Sequence, residues 1–174
     1  FVVATGYRGD VISEYFLHYD AHMSDFSITL GEPDSFTVHA PHTEQWRVTI
    51  AHTGQETTTG GRLHLCRKFF QDETVLVTYG DGLANIDVGA LIGHHRQSGL
   101  LSTISATRPA NRFGVLRLDN EGALLGFAEK PLEQSWVNIG FMLFEPEAFA
   151  LLTTDTPIET GLLPELADHN QLGV

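Results

Sequence analysis

The sequence predicts an α/β sandwich on a mixed, mostly parallel central sheet. Three observations carry that reading. Runs of β-formers alternate with stretches whose apolar residues recur at helical spacing. The run Val75-Leu76-Val77-Thr78-Tyr79 is nearly continuous in β-formers, which suits a strand covered on both faces. Between residues 25 and 53 the period falls toward two, and a hairpin turn between GVLRL and ALLGFAE adds an antiparallel pair.

Taken in order, Phe1 to Thr5 is an apolar strand ended by Gly6. Val11, Ile12, Tyr15, Phe16 and Tyr19 then share one face of a helix from about residue 9 to 19. FSITL, FTVHA and WRVTIAH are short β-rich runs parted by Gly, Pro and Asp. A helix follows Gly60-Gly61, with Leu63, Cys66, Phe69 and Phe70 on a common face. Val88, Leu91 and Ile92 mark the next helix, and Leu101 to Thr107 the next strand. GVLRL and ALLGFAE flank Asp119-Asn120-Glu121-Gly122, a composition that favours a hairpin turn. Val137 to Phe144 is a strand, Pro146 opens a helix at its first turn, and a last helix covers about 158 to 168.

Composition limits what such a fold can do. The chain has 174 residues, 42% of them hydrophobic and 18% charged, which suits one ordinary domain over 1–174 with a real core. Ten Lys+Arg against 22 Asp+Glu give a net charge of −12, leaving little with which to build a cationic face for nucleic acid. No apolar run approaches the ~20 residues of a membrane span. The single Cys66 excludes an internal disulfide and fits a reducing, cytoplasmic compartment. Phe1 opens inside a strand and Val174 follows a helix directly, so the pattern reads as a domain cut at both ends.

Several residues are candidates for chemistry. Tyr79-Gly80-Asp81-Gly82 follows the most apolar strand, and ligands of open α/β sheets lie at the carboxyl ends of strands. Asp81 there is placed either to hold Mg²⁺ on a phosphate or to cap the next helix. Thr57-Thr58-Thr59-Gly60-Gly61-Arg62 precedes a helix. Its hydroxyls and free N–H groups can cradle a phosphate or base, with Arg62 pairing an anion, or they form an ordinary N-cap. Glu129-Lys130-Pro131 ends a strand with adjacent opposite charges, for a ligand's hydroxyls and phosphate or simply for solvent. Asn138 and Gly140 interrupt an apolar strand, and Asn there calls for a hydrogen-bond partner, ligand or backbone. Trp136, next to Asn138, can line a sugar pocket. The nine histidines form no metal-binding spacing, and no nucleophile motif is present.

In order along the chain, these motifs resemble the sugar-nucleotide pyrophosphorylases, specifically their cytidylyl branch. The resemblance runs through Gly6-Tyr7-Arg8-Gly9 with Glu14-Tyr15-Phe16, His22-Met23-Ser24-Asp25, Trp46-Arg47-Val48-Thr49, and Thr53-Gly54 with Thr59-Gly60-Gly61-Arg62-Leu63. It continues through Tyr79-Gly80-Asp81-Gly82, Arg112-Phe113-Gly114, Glu129-Lys130-Pro131 and Asn138-Ile139-Gly140-Phe141. Each is weak alone, and eight in order are specific.

The resemblance implies a Rossmann-like nucleotidyltransferase that forms CDP-glucose and pyrophosphate from CTP and α-D-glucose 1-phosphate with Mg²⁺, feeding deoxysugar synthesis for cell-surface polysaccharide. It implies Asp81 as metal ligand, Gly80 against the nucleotide, and Thr57 and Arg62 as nucleotide contacts. Glu129 and Lys130 would hold sugar and sugar phosphate, Lys130 with a catalytic part, while Asn138 and Gly140 line the glucose pocket. It also implies a homo-oligomer. The family's glycine-rich N-terminal loop and its second metal carboxylate have no match here, which implies an incomplete site and no turnover by these residues alone. Sister branches using dTTP or UTP, and a non-catalytic sugar-nucleotide sensor on the same fold, remain the alternatives.

Overall fold

The computed structural model describes residues 1–39, 44–70, 72–109, 114–129 and 135–174. Two compact units emerge, one of Phe1–Gln71 with Leu152–Leu162, the other of Asp72–Leu151 with Leu163–Val174.

In the first unit, β1 (Val2–Thr5) pairs in parallel with β4 (Thr49–His52), Val3 lying opposite Ile50 and Ala4 opposite Ala51. Between them run α1 (Gly9–Leu17), α2 (Tyr19–Met23) and the antiparallel pair β2 (Asp25–Ser27) and β3 (Thr37–His39). The expected helix over 9–19 is thus two helices reaching residue 23, broken at His18, whose φ of −107° and ψ of 20° leave the helical basin. The aromatic spacing persists across the break: Tyr15 stacks on His22, and Phe16 on Tyr19.

Helix α3 (Thr59–Cys66) follows β4, and Thr58 is its N-cap, its hydroxyl accepting from Gly61 N at 3.1 Å. Its last residue, Cys66, is buried, and burial pushes the thiol up despite the opposing Lys68 and Arg62 charges. Phe69, expected on the same face, lies in a 3-10 turn at 67–69 and is exposed. The returning segment 152–162 supplies Leu152, Ile158 and Leu162 to this unit's core.

The second unit is a mixed sheet of four strands: β10 (Leu172–Gly173), β6 (Ser102–Thr107), β9 (Val137–Phe144) and β5 (Val75–Val77), in that spatial order. β10 runs parallel to β6, while β9 is antiparallel to both its neighbours. Its core is the carboxyl half of β9, Met142, Leu143 and Phe144, packed with Ala148, Phe149 and Leu166. The sequence expectation of a doubly covered strand at 75–79 is corrected. β5 ends at Val77, lies at the edge of this sheet and leaves Leu76 38% exposed. A run of β-formers looks the same to periodicity whether one face or two are covered.

Helix α4 (Val88–Ser98) begins at Asp87, whose carboxylate accepts from Ala90 N at 2.9 Å, and ends at Gly99 with φ of 65°. The hairpin β7 (Val115–Leu118) and β8 (Leu124–Ala128) turns as its sequence predicts. Asp119 accepts from Glu121 N and Ala123 N at 2.9 and 2.8 Å, and Gly122 takes φ of 87°. Two expected helices change type. Residues 146–151 form a 3-10 helix, and 158–162 a π turn that leads into α5 (Leu163–Asp168). Pro164 has no N–H for an α bond, and its ring would crowd the preceding turn, so the widened turn accommodates it.

One buried polar cluster ties this unit together. His95 on α4 is 1% exposed, its Nδ1 2.8 Å from Thr103 Oγ1 and its Nε2 3.1 Å from Glu145 Oε1, while Glu145 Oε2 accepts from the Thr74 hydroxyl. Every member is satisfied if Nε2–H donates to the carboxylate and the Thr103 hydroxyl donates to Nδ1. His95→Ala strands a buried hydroxyl and a half-buried carboxylate and leaves a cavity. It is expected to cost about 2–4 kcal/mol, read as a lowered urea midpoint with an unchanged slope; an unchanged midpoint would refute the cluster's structural role.

Candidate functional site

In the first unit the candidate residues sit at the carboxyl ends of β1 and β4, where parallel strands present ligand sites. Thr53 N and the Thr53 hydroxyl both donate to Thr5 O at 2.9 Å, locking the two strand ends together. Arg62 reaches back from α3 into this corner. Its Nη1 donates to Thr53 Oγ1 at 2.6 Å, Gly54 O at 2.9 Å and Thr5 O at 3.1 Å, and its Nη2 to Gln55 O at 3.2 Å. A Cβ on Gly6 would stand 2.8 Å from the Gly54 carbonyl as well as against the guanidinium, so the corner as formed takes glycine there. The guanidinium is therefore fixed in place before any ligand arrives, with Nε and part of Nη2 outside these bonds. Thr57 donates its hydroxyl to Thr53 O at 2.5 Å, which folds the 53–57 loop over the same corner. Gly54 takes φ of 96° in that loop.

The Thr57-Thr58-Thr59-Gly60-Gly61 run also has a structural duty. Thr58 caps α3 and its hydroxyl lies 3.3 and 3.2 Å from Thr154 O and Thr156 O. Thr59 donates to Glu159 at 2.7 Å and accepts from Ile158 N at 2.9 Å. Gly60 and Gly61 let the main chain at Thr156 and Thr154 lie directly on the helix.

In the second unit, Gly80 and Asp81 are the central residues of a turn closed by Gly82 N donating to Tyr79 O at 3.2 Å. Of the two sequence readings of Asp81, capping is excluded, because Asp87 caps α4. Asp81 is exposed and makes no hydrogen bond or ion pair among the described residues, and around Gly80 there is open space. No three His, Cys, Asp or Glu side chains among the described residues group into a metal site. An exposed, unengaged carboxylate beside open space fits Mg²⁺, which typically binds through one or two carboxylates, water and substrate phosphates.

The turn is seated on β9. Gly140 has φ of 86° in a bulge, where Ile104 pairs with Met142 and Ala106 with Asn138, and the Tyr79 ring packs directly on its Cα. Asn138 Oδ1 accepts from Gly140 N at 2.8 Å, so its partner is backbone and its amide NH₂ remains outside that bond. Glu129 stands just past β8 beside Gly114. Lys130, Pro131, Arg112 and Phe113 lie outside the described residues, so the structure does not describe the Lys130 site assignment. The structure thus brings together Gly80, Asp81, Asn138 and Gly140 through Tyr79, and separately Thr57 with Arg62.

Sequence reasoning passed over Arg108, whose guanidinium carbon lies 4.8 Å from the Trp136 ring centre. No local signal marks it beyond its place at a strand end before Pro109. An aromatic cleft of about 220 Å³ lined by Phe16, Tyr19, Glu44, Trp46 and Val48 was also unforeseen. There the hydrogen bond from Tyr19 to Glu44 at 2.9 Å pushes the phenol up.

The candidate features the structure describes are thus a strand-end corner with a prearranged guanidinium in one unit and an exposed, glycine-flanked carboxylate beyond β5 in the other, both within an α/β fold. The comparisons place it more narrowly. The chain belongs to the nucleotidyl transferase family, whose model matches residues 20–172. It is 38% identical over 175 residues to the glucose-1-phosphate cytidylyltransferase of Salmonella typhimurium, covering 99% of this chain and 67% of that protein. To the probable glucose-1-phosphate cytidylyltransferase of Bacillus subtilis it is 35% identical, covering 100% and 68%. HddC from Yersinia pseudotuberculosis shares the fold with a TM-score of 0.61 at 15% identity, over 94% of this chain and 64% of that one. The chain therefore spans about two thirds of the length of the relatives it matches. Among the described residues, no helix is long and apolar enough to cross a membrane.

Proposed function

We propose that this protein is a cytidylyltransferase, forming CDP-glucose and pyrophosphate from CTP and α-D-glucose 1-phosphate with Mg²⁺. The observation that carries the reading is 38% identity over 99% of the chain to a glucose-1-phosphate cytidylyltransferase. The exposed Asp81 and the fixed Arg62 guanidinium support it independently. The sugar phosphate is already an anionic nucleophile, so the reaction needs no strong general base. Its oxygen attacks the α-phosphorus in line and pyrophosphate leaves, while the barrier comes from two approaching anions and the charge that develops on the leaving group.

Asp81 would hold Mg²⁺, with Gly80 allowing the nucleotide close to the backbone. Bound Mg²⁺ supplies charge neutralisation on the triphosphate and the leaving pyrophosphate. Arg62 and Thr57 orient the nucleotide from a corner that is already ordered, so little reorganisation opposes binding. Lys130 would neutralise the sugar phosphate, Glu129 would accept sugar hydroxyls, and Asn138 would offer its amide NH₂ to the glucose beside Gly140.

The test is pyrophosphate release by the full-length protein with glucose 1-phosphate and Mg²⁺, comparing CTP, dTTP and UTP, with Asp81→Asn alongside. Release with CTP, lowered at least about 100-fold in Asp81→Asn, is the expected result. Release with dTTP or UTP instead would move the protein to a sister branch. No release by folded protein that binds CDP-glucose would make it a sensor.

A further inference from the structure

We propose that Arg108, held on the face of Trp136, is a specificity-determining cation that receives the phosphate of the sugar phosphate. The proposal rests on the reading of Asn138 and Gly140 as the sugar pocket. Thr107 pairs with Val137 across the β6–β9 ladder, so Arg108 and Trp136 are cross-strand neighbours one step further out. Trp136 immediately precedes β9, two positions before Asn138, and extending the strand's alternation by that one residue sets Trp136 on the side of Asn138 at a rise of about 7 Å. That is close to the span of a pyranose ring and its 1-phosphate. A hexose held by Asn138 therefore extends its phosphate to Arg108.

Charge argues in the same direction. The chain carries −12, with more than two acidic residues for every basic one. In such a chain an exposed arginine readily finds a carboxylate. Arg108 makes no ion pair or hydrogen bond among the described residues, and only the indole holds it. The indole holds the guanidinium carbon 4.8 Å from its ring centre and leaves the N–H groups for an anion, and a guanidinium so held suits bidentate phosphate recognition. Trp136 is itself 64% exposed, so the pair stands where a solute can reach it.

The test is steady-state kinetics of the full-length protein with Arg108→Met, Arg108→Lys and Trp136→Leu. Arg108→Met keeps an apolar stem on the indole and removes the charge. It is expected to raise KM for glucose 1-phosphate about tenfold, leaving KM for CTP within about twofold. Arg108→Lys should recover part of the loss, and Trp136→Leu should fall between, because it frees the guanidinium without discharging it. An unchanged KM for glucose 1-phosphate in Arg108→Met, or an equal rise in both KM values, would overturn the proposal.

A protein without turnover on any nucleotide would refute the cytidylyltransferase reading, and binding then decides this one separately. The tryptophan emission of the protein minus that of Trp136→Phe would be titrated with glucose 1-phosphate, inorganic phosphate and glucose. A response to the two phosphates but not to glucose, lost in Arg108→Met, supports an anion site. No response, or one that survives Arg108→Met, makes the pair a surface contact only.

Discussion

Gly60→Ala is expected to destabilise the protein by about 2–4 kcal/mol, although alanine is the better helix former. In an exposed helix the substitution gains roughly 1 kcal/mol. Here the new methyl would overlap Thr156 O and stand 2.8 Å from Leu152 Cδ2. A flexible side chain can turn away from such a contact, but a carbonyl of the main chain cannot. That carbonyl is also fixed by the Thr58 hydroxyl, and the chain just beyond it by Ile158 N donating to Thr59 Oγ1 and by Thr59 donating to Glu159. Lifting the segment off α3 surrenders several hydrogen bonds of about 1 kcal/mol each, together with the burial of Ile158 and Leu162. Overpacking of this kind costs about 1–3 kcal/mol and more where the backbone must yield, so the clash outweighs the propensity gain. The check is a thermal melt, with a fall of roughly 5–10 °C expected for a chain of this size. A melting temperature at or above the parent's would show that segment 152–157 does not rest on α3.

That expectation bears on what the sequence could reveal. Thr-Thr-Thr-Gly-Gly-Arg reads locally as a phosphate cradle or a plain cap, and nothing in its spacing tells that a segment a hundred residues away needs the glycines. Long-range packing leaves no periodic trace in either partner. The alternation of strands and helices, the Asp119–Gly122 turn and the run of family motifs were legible because each is encoded within a few residues. The edge position of β5 was not, since its neighbours are set by topology. Asp81 shows the converse. The sequence left two roles open, and a single hydrogen bond from Ala90 to Asp87 removes one of them. Arg108 and Trp136 are 28 positions apart, and only the register of β6 on β9 makes them neighbours.

Gly140→Ala is the substitution expected to join stability to the sugar pocket, and its cost has two separable parts. The first is conformational: at φ of 86° an alanine pays about 1–2 kcal/mol that glycine does not. The second is steric, because the added Cβ would press into the Tyr79 ring, 3.0 Å from Cε2 and closer still to Cδ2. Only the second depends on Tyr79. A double-mutant cycle with Tyr79→Leu should therefore return a coupling of about 1–2 kcal/mol, with Gly140→Ala alone costing about 2–4 kcal/mol. The ring is the piece between β9 and the Gly80-Asp81 turn, so relief of the clash by rotation of Tyr79 displaces the turn that carries the carboxylate. Under the proposed assignment, Gly140→Ala then raises the Mg²⁺ concentration needed for half-maximal turnover as well as weakening sugar binding, whereas a purely local fault at the pocket would raise only KM for glucose 1-phosphate. Additive stabilities in the cycle would mean that Tyr79 does not bear on Gly140 in solution, and Asp81 would then owe its position to the turn's own hydrogen bond rather than to the strand beneath it.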